Sequence, residues 1–98
     1  MPHPIRFHPA ALRDANEAAG WYAERSARAA IRFLDELDRL IESIAAAPDR
    51  FPLFEGVLRR AIFRRFPYYI VFRPDVAGIT VLAIAHAKRR PNFWHGRS

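Results

Sequence analysis

The sequence predicts an α+β fold, in which two consecutive helices precede a group of β-strands. Between residues 9 and 47, apolar residues recur every three or four positions, which is the spacing of one face of a helix. After about residue 56 the apolar spacing changes to two, which is typical of strands. Helices grouped in sequence and followed by grouped strands indicate an α+β arrangement rather than an alternating α/β arrangement.

The chain is predicted to open with a short strand that leads into the first helix. Residues 4–8 alternate apolar and polar side chains, which indicates a strand. Pro9 suits the first turn of a helix, because the N–H it lacks would have no helical partner there. The residues that then recur at helical spacing are Leu12, Ala15, Ala19 and Tyr22. We therefore expect a first helix from Pro9 to about Arg25.

A second helix is predicted between Ser26, a suitable N-cap, and Pro48, which cannot continue a helix. Its apolar stripe consists of Ala30, Phe33, Leu34, Leu37, Ile41 and Ile44. Its opposite face carries charges that we interpret as solvent-exposed, namely Arg32, Asp35, Glu36, Arg39 and Glu42. The two helices are expected to form an antiparallel hairpin. Residues 48–56 contain proline and glycine and are interpreted as a loop.

Three strands are predicted in the second half of the chain, over residues 57–65, 68–73 and 79–87. The last two are expected to form a hairpin, because only Pro74, Asp75 and a few neighbours including Gly78 separate them. The predicted order is β-α-α-β-β-β, with the helical hairpin packed on a small antiparallel sheet. We expect residues 1–98 to form a single domain.

The composition excludes several classes of protein. The chain has no cysteine, which excludes a disulfide framework and a thiolate metal site. With 51% hydrophobic residues it is not a disordered segment. The four histidines, His3, His8, His86 and His95, lack metal-ligand spacing, so we expect no metal and no cofactor. Because no apolar run suits a membrane span or a secretion signal, we expect a soluble cytoplasmic protein.

The net charge of +6 is unevenly distributed along the chain. Residues 1–55 carry seven Arg and nine acidic residues, a net charge of −2, whereas residues 56–98 carry nine basic residues and one acid, a net charge of +8. This half favours an anionic partner, either nucleic acid or an acidic protein. Strand alternation predicts one basic face with the members Arg60, Arg64, Tyr69 and Arg73. Such a face suits phosphate contact with base stacking, or it is simply a solvated sheet face.

Basic and aromatic residues interleave after the last predicted strand. Lys88, Arg89 and Arg90 form a predicted anion-binding patch, and His86 could exchange a proton near neutral pH. The aromatic Trp94 is interpreted either as an anchor on the core or as a partner contact. Trp21 on the first helix is likewise interpreted either as part of the core or as a contact with a partner.

The combined pattern resembles the ParE/RelE superfamily of type II toxin–antitoxin toxins, also called plasmid stabilisation proteins. The residues that carry the resemblance are, in chain order, Trp21-Tyr22, Phe33-Leu34…Leu37, Pro48, Phe66-Pro67-Tyr68-Tyr69-Ile70-Val71-Phe72 and Val81…Ala83-Ile84…His86…Arg89-Arg90-Pro91…Trp94. It covers essentially the whole chain and implies a helical hairpin on a small sheet. It also implies a small cognate antitoxin that binds the toxin directly through its C-terminal segment. Operator DNA would be bound only through that antitoxin.

The superfamily contains two activities, and the resemblance favours one of them. RelE-like members cut mRNA on the ribosome with a basic and aromatic residue set. Here Arg60 and Arg89 match basic positions of that set, whereas Ile62, Tyr69 and Trp94 stand where catalytic groups are usual. Arginine is a poor general base, since its pKa lies above about 12. We therefore expect a ParE-like inhibitor of DNA gyrase without bond-breaking chemistry.

Two alternatives remain. The first is an mRNA interferase, whose catalytic residues would be Arg60, Tyr69, His86 and Arg89. The second is an inactive toxin that acts as a co-repressor with its antitoxin. The residues expected to contact the acidic antitoxin segment are Trp21, Phe51, Leu53, Phe54, Arg60, Arg64 and Arg73. The residues expected to contact the target are Lys88, Arg89, Arg90 and Trp94.

Overall fold

Both predicted helices are present in the computed structural model of the protein, which describes residues 1–97. Helix α1 spans Pro9–Ala23 and helix α2 spans Ala27–Ala46. The imidazole Nδ1 of His8 accepts a hydrogen bond from the backbone N–H of Ala10 at 3.0 Å, which caps the start of α1. The Ser26 hydroxyl accepts one from the N–H of Ala29 at 3.2 Å and caps α2 as predicted.

Five strands form one sheet beside the hairpin. They are β1 (Ile5–Phe7), β2 (Leu53–Glu55), β3 (Leu58–Ile62), β4 (Tyr68–Asp75) and β5 (Gly78–His86). The order across the sheet is β1-β5-β4-β3-β2. The α+β class and the predicted order of elements are confirmed, with β2 as an additional strand.

Two features of the sheet differ from the sequence prediction. Strand β1 pairs with β5 in parallel, so the sheet is mixed rather than purely antiparallel. A parallel pair needs a long connection, which the helices and the intervening strands provide. Residues 48–56 are not simply a loop, because Pro48–Arg50 form a 3₁₀ turn and β2 pairs with β3. Three residues are too few to show an alternation of their own.

Gly78 holds the start of the parallel pair together. Its φ of +138° lies in a region that favours glycine, and a Cβ at this position would collide with the carbonyl oxygen of Pro4. The next amide, that of Ile79, donates a hydrogen bond to the same oxygen at 2.8 Å. The close approach of β1 to β5 therefore depends on the missing side chain.

The main hydrophobic core lies between the hairpin and one face of the sheet. Phe33 of α2 stacks on Phe63 with ring centroids 5.1 Å apart. The predicted core positions Ala61, Phe63, Ile70 and Phe72 are all buried there. The predicted helical stripes are partly wrong, because Leu12 and Leu34 are 51% and 41% exposed. Helix α1 instead buries a stripe of short side chains, Ala11, Asp14, Ala15 and Ala18, which allow it to lie close to β5.

A smaller apolar cluster lies on the opposite face of the sheet, which we call the open face because no helix covers it. Its buried members are Val71, Leu82, Ala83, Ala85 and Trp94. Leu82 and Ala83 are consecutive yet both belong to it, because the pairing of β4 with β5 shifts between Val71 and Phe72. The C-terminal segment, residues 87–97, supplies Trp94 and covers this cluster. Over residues 1–97, no helix is long and apolar enough to cross a bilayer.

Candidate functional site

The arginines of the basic half do not form the single face that strand alternation predicted. Strand β3 ends at Ile62, so the alternation stops before Arg64. Arg64 and Arg65 instead lie in the β3–β4 loop, where their backbone N–H groups donate to the two carboxylate oxygens of Glu36 on α2. Glu36 was predicted to be an exposed charge and is instead half-buried, bound to this loop.

Arg59 and Arg60 point to opposite sides of β3 and have different partners. The guanidinium of Arg59 donates to the carbonyl oxygen of Phe51 and lies 3.9 Å from the carboxylate of Asp49. It therefore fastens the 3₁₀ turn to the sheet. Arg60 lies on the open face, 4.4 Å from the ring centroid of Phe54 and 5.3 Å from that of Tyr69.

The guanidinium of Arg60 is thus held by aromatic rings rather than by a carboxylate. Its Nε is buried and has no hydrogen-bond partner among residues 1–97. A cation over aromatic rings is stabilised by about 0.5–2 kcal/mol, depending on its exposure. Tyr69 also contacts Trp94 edge-on, with ring centroids 6.2 Å apart. The open face therefore carries one cluster of three aromatic rings, Phe54, Tyr69 and Trp94, with the guanidinium of Arg60 packed against it.

Glu55 of β2 fixes the C-terminal segment over this cluster. Its Oε1 accepts a hydrogen bond from the indole N–H of Trp94 at 3.1 Å and lies 2.7 Å from the Nε2 of His95. The hydrogen bond from Trp94, together with the bond and positive charge of His95, lowers the pKa of Glu55 below its ordinary value against the opposing effect of desolvation. Trp94 is 1% exposed. Its predicted contact with a target is therefore not available while the segment is in place.

The end of the described chain is tied to α1 through a buried carboxylate. Asp14 accepts hydrogen bonds from Arg97 at 2.6 Å and from the backbone N–H of Ile84 at 3.1 Å. Arg97 also donates to the carbonyl oxygen of Leu82 at 2.9 Å. Since β1 pairs only as far as Val81, this ion pair occupies the edge of β5 that β1 leaves open.

His86 and Arg89 lie in a different place, a cleft of about 440 Å³ between α1 and the ends of β4 and β5. The His86 ring packs edge-on against Tyr68 with centroids 4.9 Å apart, and its Nδ1 accepts the N–H of Lys88 at 3.0 Å. Arg89 lies 3.8 Å from Asp14 and stacks at 3.5 Å over Phe93. The guanidinium of Arg89 therefore already has both an acidic and an aromatic partner.

The four residues considered for ribonuclease catalysis are consequently divided between two faces. Tyr69 and Arg60 are on the open face, whereas His86 packs against Tyr68, which contacts Tyr22 and Phe33 on the helical side. Burial raises the pKa of Tyr69 above its ordinary value, even though the charge of Arg60 opposes that shift. A phenol with a raised pKa is protonated at neutral pH and is a weak general base. This arrangement does not assemble an acid–base set around one phosphate.

The residues expected to contact the antitoxin are also spread over the molecule. Trp21 and Leu53 are 50% and 62% exposed, and Arg64 is exposed. Phe51 packs edge-on against Phe72 of the main core, whereas Phe54 belongs to the open-face cluster. The remaining members have partly buried side chains, namely Arg60 and Arg73. Of the target-contact residues, Lys88, Arg89 and Arg90 are exposed.

Three acidic residues that organise these sites were not predicted from the sequence. Asp14 falls at helical spacing within the alanine stripe of α1, and an acid within such a stripe is a usable signal of a buried pair. Glu36 and Glu55 carry no comparable signal, because each binds groups distant in sequence. No cluster of three or more potential metal ligands occurs within the described residues.

Comparison with known proteins identifies a family for this chain. A family model described as the ParE toxin of the type II toxin–antitoxin system, parDE, matches residues 5–91. Two curated relatives, both named Toxin ParE2, come from the CDC 1551 / Oshkosh and ATCC 25618 / H37Rv strains of Mycobacterium tuberculosis. Each is 31% identical over 101 residues, which covers 94% of this chain and 89% of the relative.

Proposed function

Because the chain belongs to the ParE toxin family of type II toxin–antitoxin systems, we propose that it inhibits DNA gyrase by binding and that a cognate antitoxin neutralises it. The observation that carries the proposal is the separation of Arg60 and Tyr69 from His86 across the sheet. RNA cleavage needs an acid and a base within hydrogen-bond reach of the same reacting groups. Inhibition by binding makes no such demand.

The proposed target contact is the exposed basic run after β5. Lys88 and Arg90 have exposed side chains, and Arg89 is held in position by Asp14 and Phe93. The C-terminal segment is fixed to the fold at Glu55 and Asp14, so the run is presented from a rigid support. Trp94 is buried in the open-face cluster, where it anchors the C-terminal segment, and it takes no part in the proposed contact with gyrase.

A supercoiling assay tests this proposal: purified gyrase acts on relaxed plasmid at increasing toxin concentration, and the supercoiled product is measured. We expect supercoiling to be lost in proportion to the toxin, and Lys88→Gln/Arg90→Gln to weaken the effect about tenfold. The matched control is Arg28→Gln/Arg50→Gln, which removes the same charge from exposed sites elsewhere. Full supercoiling at molar excess of toxin, together with ribosome-dependent mRNA cuts that Arg60→Ala abolishes, would favour the interferase instead.

The proposed antitoxin contact uses the exposed members of the predicted set. Leu53 on the edge strand β2 and Trp21 on α1 offer apolar surface, and Arg64 offers charge. Leu53→Asp is a better probe than a change at Phe54, because Phe54 packs in the open-face cluster. We expect Leu53→Asp to weaken antitoxin binding, and unchanged affinity would remove β2 from the interface.

A toxin that neither inhibits gyrase nor cuts mRNA, but still binds antitoxin on operator DNA, would be a co-repressor.

A further inference from the structure

A second cleft, of about 370 Å³, lies between the outer face of α2 and the β3–β4 loop. Four exposed arginines line it, two from the helix and two from the loop: Arg32, Arg39, Arg64 and Arg65. We propose that this arginine cleft binds carboxylate side chains of an acidic protein segment, the neutralising segment of the antitoxin. The inference rests on the proposed function, since it names where that partner's acidic residues bind.

The charges of the arginine cleft are available to a ligand. Among residues 1–97, none of the four guanidinium groups takes part in a salt bridge. The salt bridges of the other arginines are formed with Glu24, Asp49 and Asp14. Helical spacing would let Arg32 pair with Glu36 and Asp35 with Arg39, since each pair is four residues apart. Neither pair forms a salt bridge. Asp35 and Glu36 also line the cleft, so its four arginines and two acids leave a net charge of +2, which favours an anion between the arginines.

The cleft is also preorganised, because Glu36 fixes the loop that forms its second wall. Both oxygens of Glu36 accept backbone N–H groups, those of Arg64 and Arg65, the second at 3.2 Å. The Glu36 carboxylate is therefore bound to the loop backbone and forms no salt bridge with any of the four guanidinium groups. The two loop side chains remain free to bind a carboxylate through two parallel N–H···O bonds.

The surroundings favour a carboxylate peptide over nucleic acid. The exposed face of α2 carries Asp35, Asp38 and Glu42 beside the arginines. A continuous phosphate backbone lying along α2 would meet these acids, whereas separate side chains can enter the cleft between them. The cleft volume suits a few side chains rather than a duplex.

The test measures binding of labelled hexaglutamate, and of a labelled 20-base-pair DNA duplex, to the full-length protein by fluorescence anisotropy. The cleft variants are Arg64→Gln/Arg65→Gln and Arg32→Gln/Arg39→Gln. Side-chain substitution in the loop keeps the backbone N–H groups that bind Glu36, so the loop is retained. The control Arg28→Gln/Arg50→Gln removes the same charge outside the cleft.

We expect each cleft variant to weaken hexaglutamate binding about tenfold and the control to change it less than threefold. The same ranking is expected with the full cognate antitoxin, while gyrase inhibition by the free toxin stays unchanged. Equal losses in cleft and control variants would overturn the proposal, as would duplex DNA binding that depends on the cleft more than hexaglutamate does. A wild-type protein that binds hexaglutamate at the cleft but leaves gyrase active would refute only the proposed target.

Discussion

The guanidinium of Arg97 lies 2.6 Å from the carboxylate of Asp14 and joins the end of the described chain to helix α1. The Asp14 side chain is 6% exposed and the Arg97 side chain 14%, so the pair is largely withdrawn from water. Removing one partner of such a pair leaves an uncompensated charge. The pair therefore makes the C-terminal segment part of the fold rather than an appendage.

The first prediction concerns this ion pair. Asp14→Ala is expected to lower the free energy of unfolding by about 3 kcal/mol, because Arg97 and the N–H of Ile84 lose their acceptor. Urea unfolding of Asp14→Ala, Arg97→Met and the double variant measures the coupling between them. Arg90→Met is the control, since Arg90 is exposed and is in none of the salt bridges among the described residues. A loss of less than 1 kcal/mol in Asp14→Ala would refute the structural role.

The second prediction concerns Trp94 as the anchor of the C-terminal segment. Trp94→Ala is expected to cost about 3–4 kcal/mol, because it empties the centre of the open-face cluster. Trp94→Phe keeps most of the apolar volume but loses the hydrogen bond to Glu55, and is expected to cost about 1 kcal/mol. Chemical denaturation measures both losses. Equal stability of the two variants would show that packing is not what holds the segment.

The third prediction is a pH dependence that Glu55 contributes to stability. Its pKa is lowered in the folded state, so its contribution is complete above the ordinary pKa of about 4.3 and is lost as the pH falls toward the lowered folded value. The difference in unfolding free energy between the wild type and Glu55→Gln is therefore expected to shrink as the pH falls from about 6 to about 3. Both proteins carry Trp21→Phe, so that Trp94 is the one tryptophan left and its fluorescence reports unfolding. A difference independent of pH would contradict the role of this carboxylate.

The fourth prediction concerns the β3–β4 loop. Glu36→Ala is expected to expose the backbone N–H groups of Arg64 and Arg65 and to speed their hydrogen exchange at least about tenfold. Asp38→Ala, an exposed acid on the same helix, is the control and should leave those two amides unchanged. If the exchange of both amides is equally slow in the two variants, Glu36 does not hold the loop.

Long periodic segments made the fold predictable from the sequence. The α2 stripe, apart from the exposed Leu34, and the core positions Ala61 and Ile70 follow from spacing alone and lie where predicted. Strand β2 and the parallel pairing of β1 were not predictable, because three-residue strands are defined by their neighbours and not by their own pattern.

Predicting which arginines share a face required knowing where strand β3 ends. Alternation correctly puts Arg60 and Tyr69 on one face, but it was carried past Ile62 to Arg64, where the chain has already left the sheet. Beyond that end the backbone N–H of Arg64 donates to the Glu36 side chain, 28 residues away in sequence, instead of to a neighbouring strand. Contacts of this range leave no periodic trace in the sequence. The +8 half of the chain therefore divides into separate sites rather than one basic face.

The measurement that tests the central claim most directly is the supercoiling activity of purified gyrase titrated with the toxin, followed by addition of the cognate antitoxin. Inhibition by binding predicts that supercoiling falls with toxin concentration, that Arg60→Ala retains this effect, and that antitoxin restores activity. Supercoiling that is unchanged at molar excess of toxin would contradict the account.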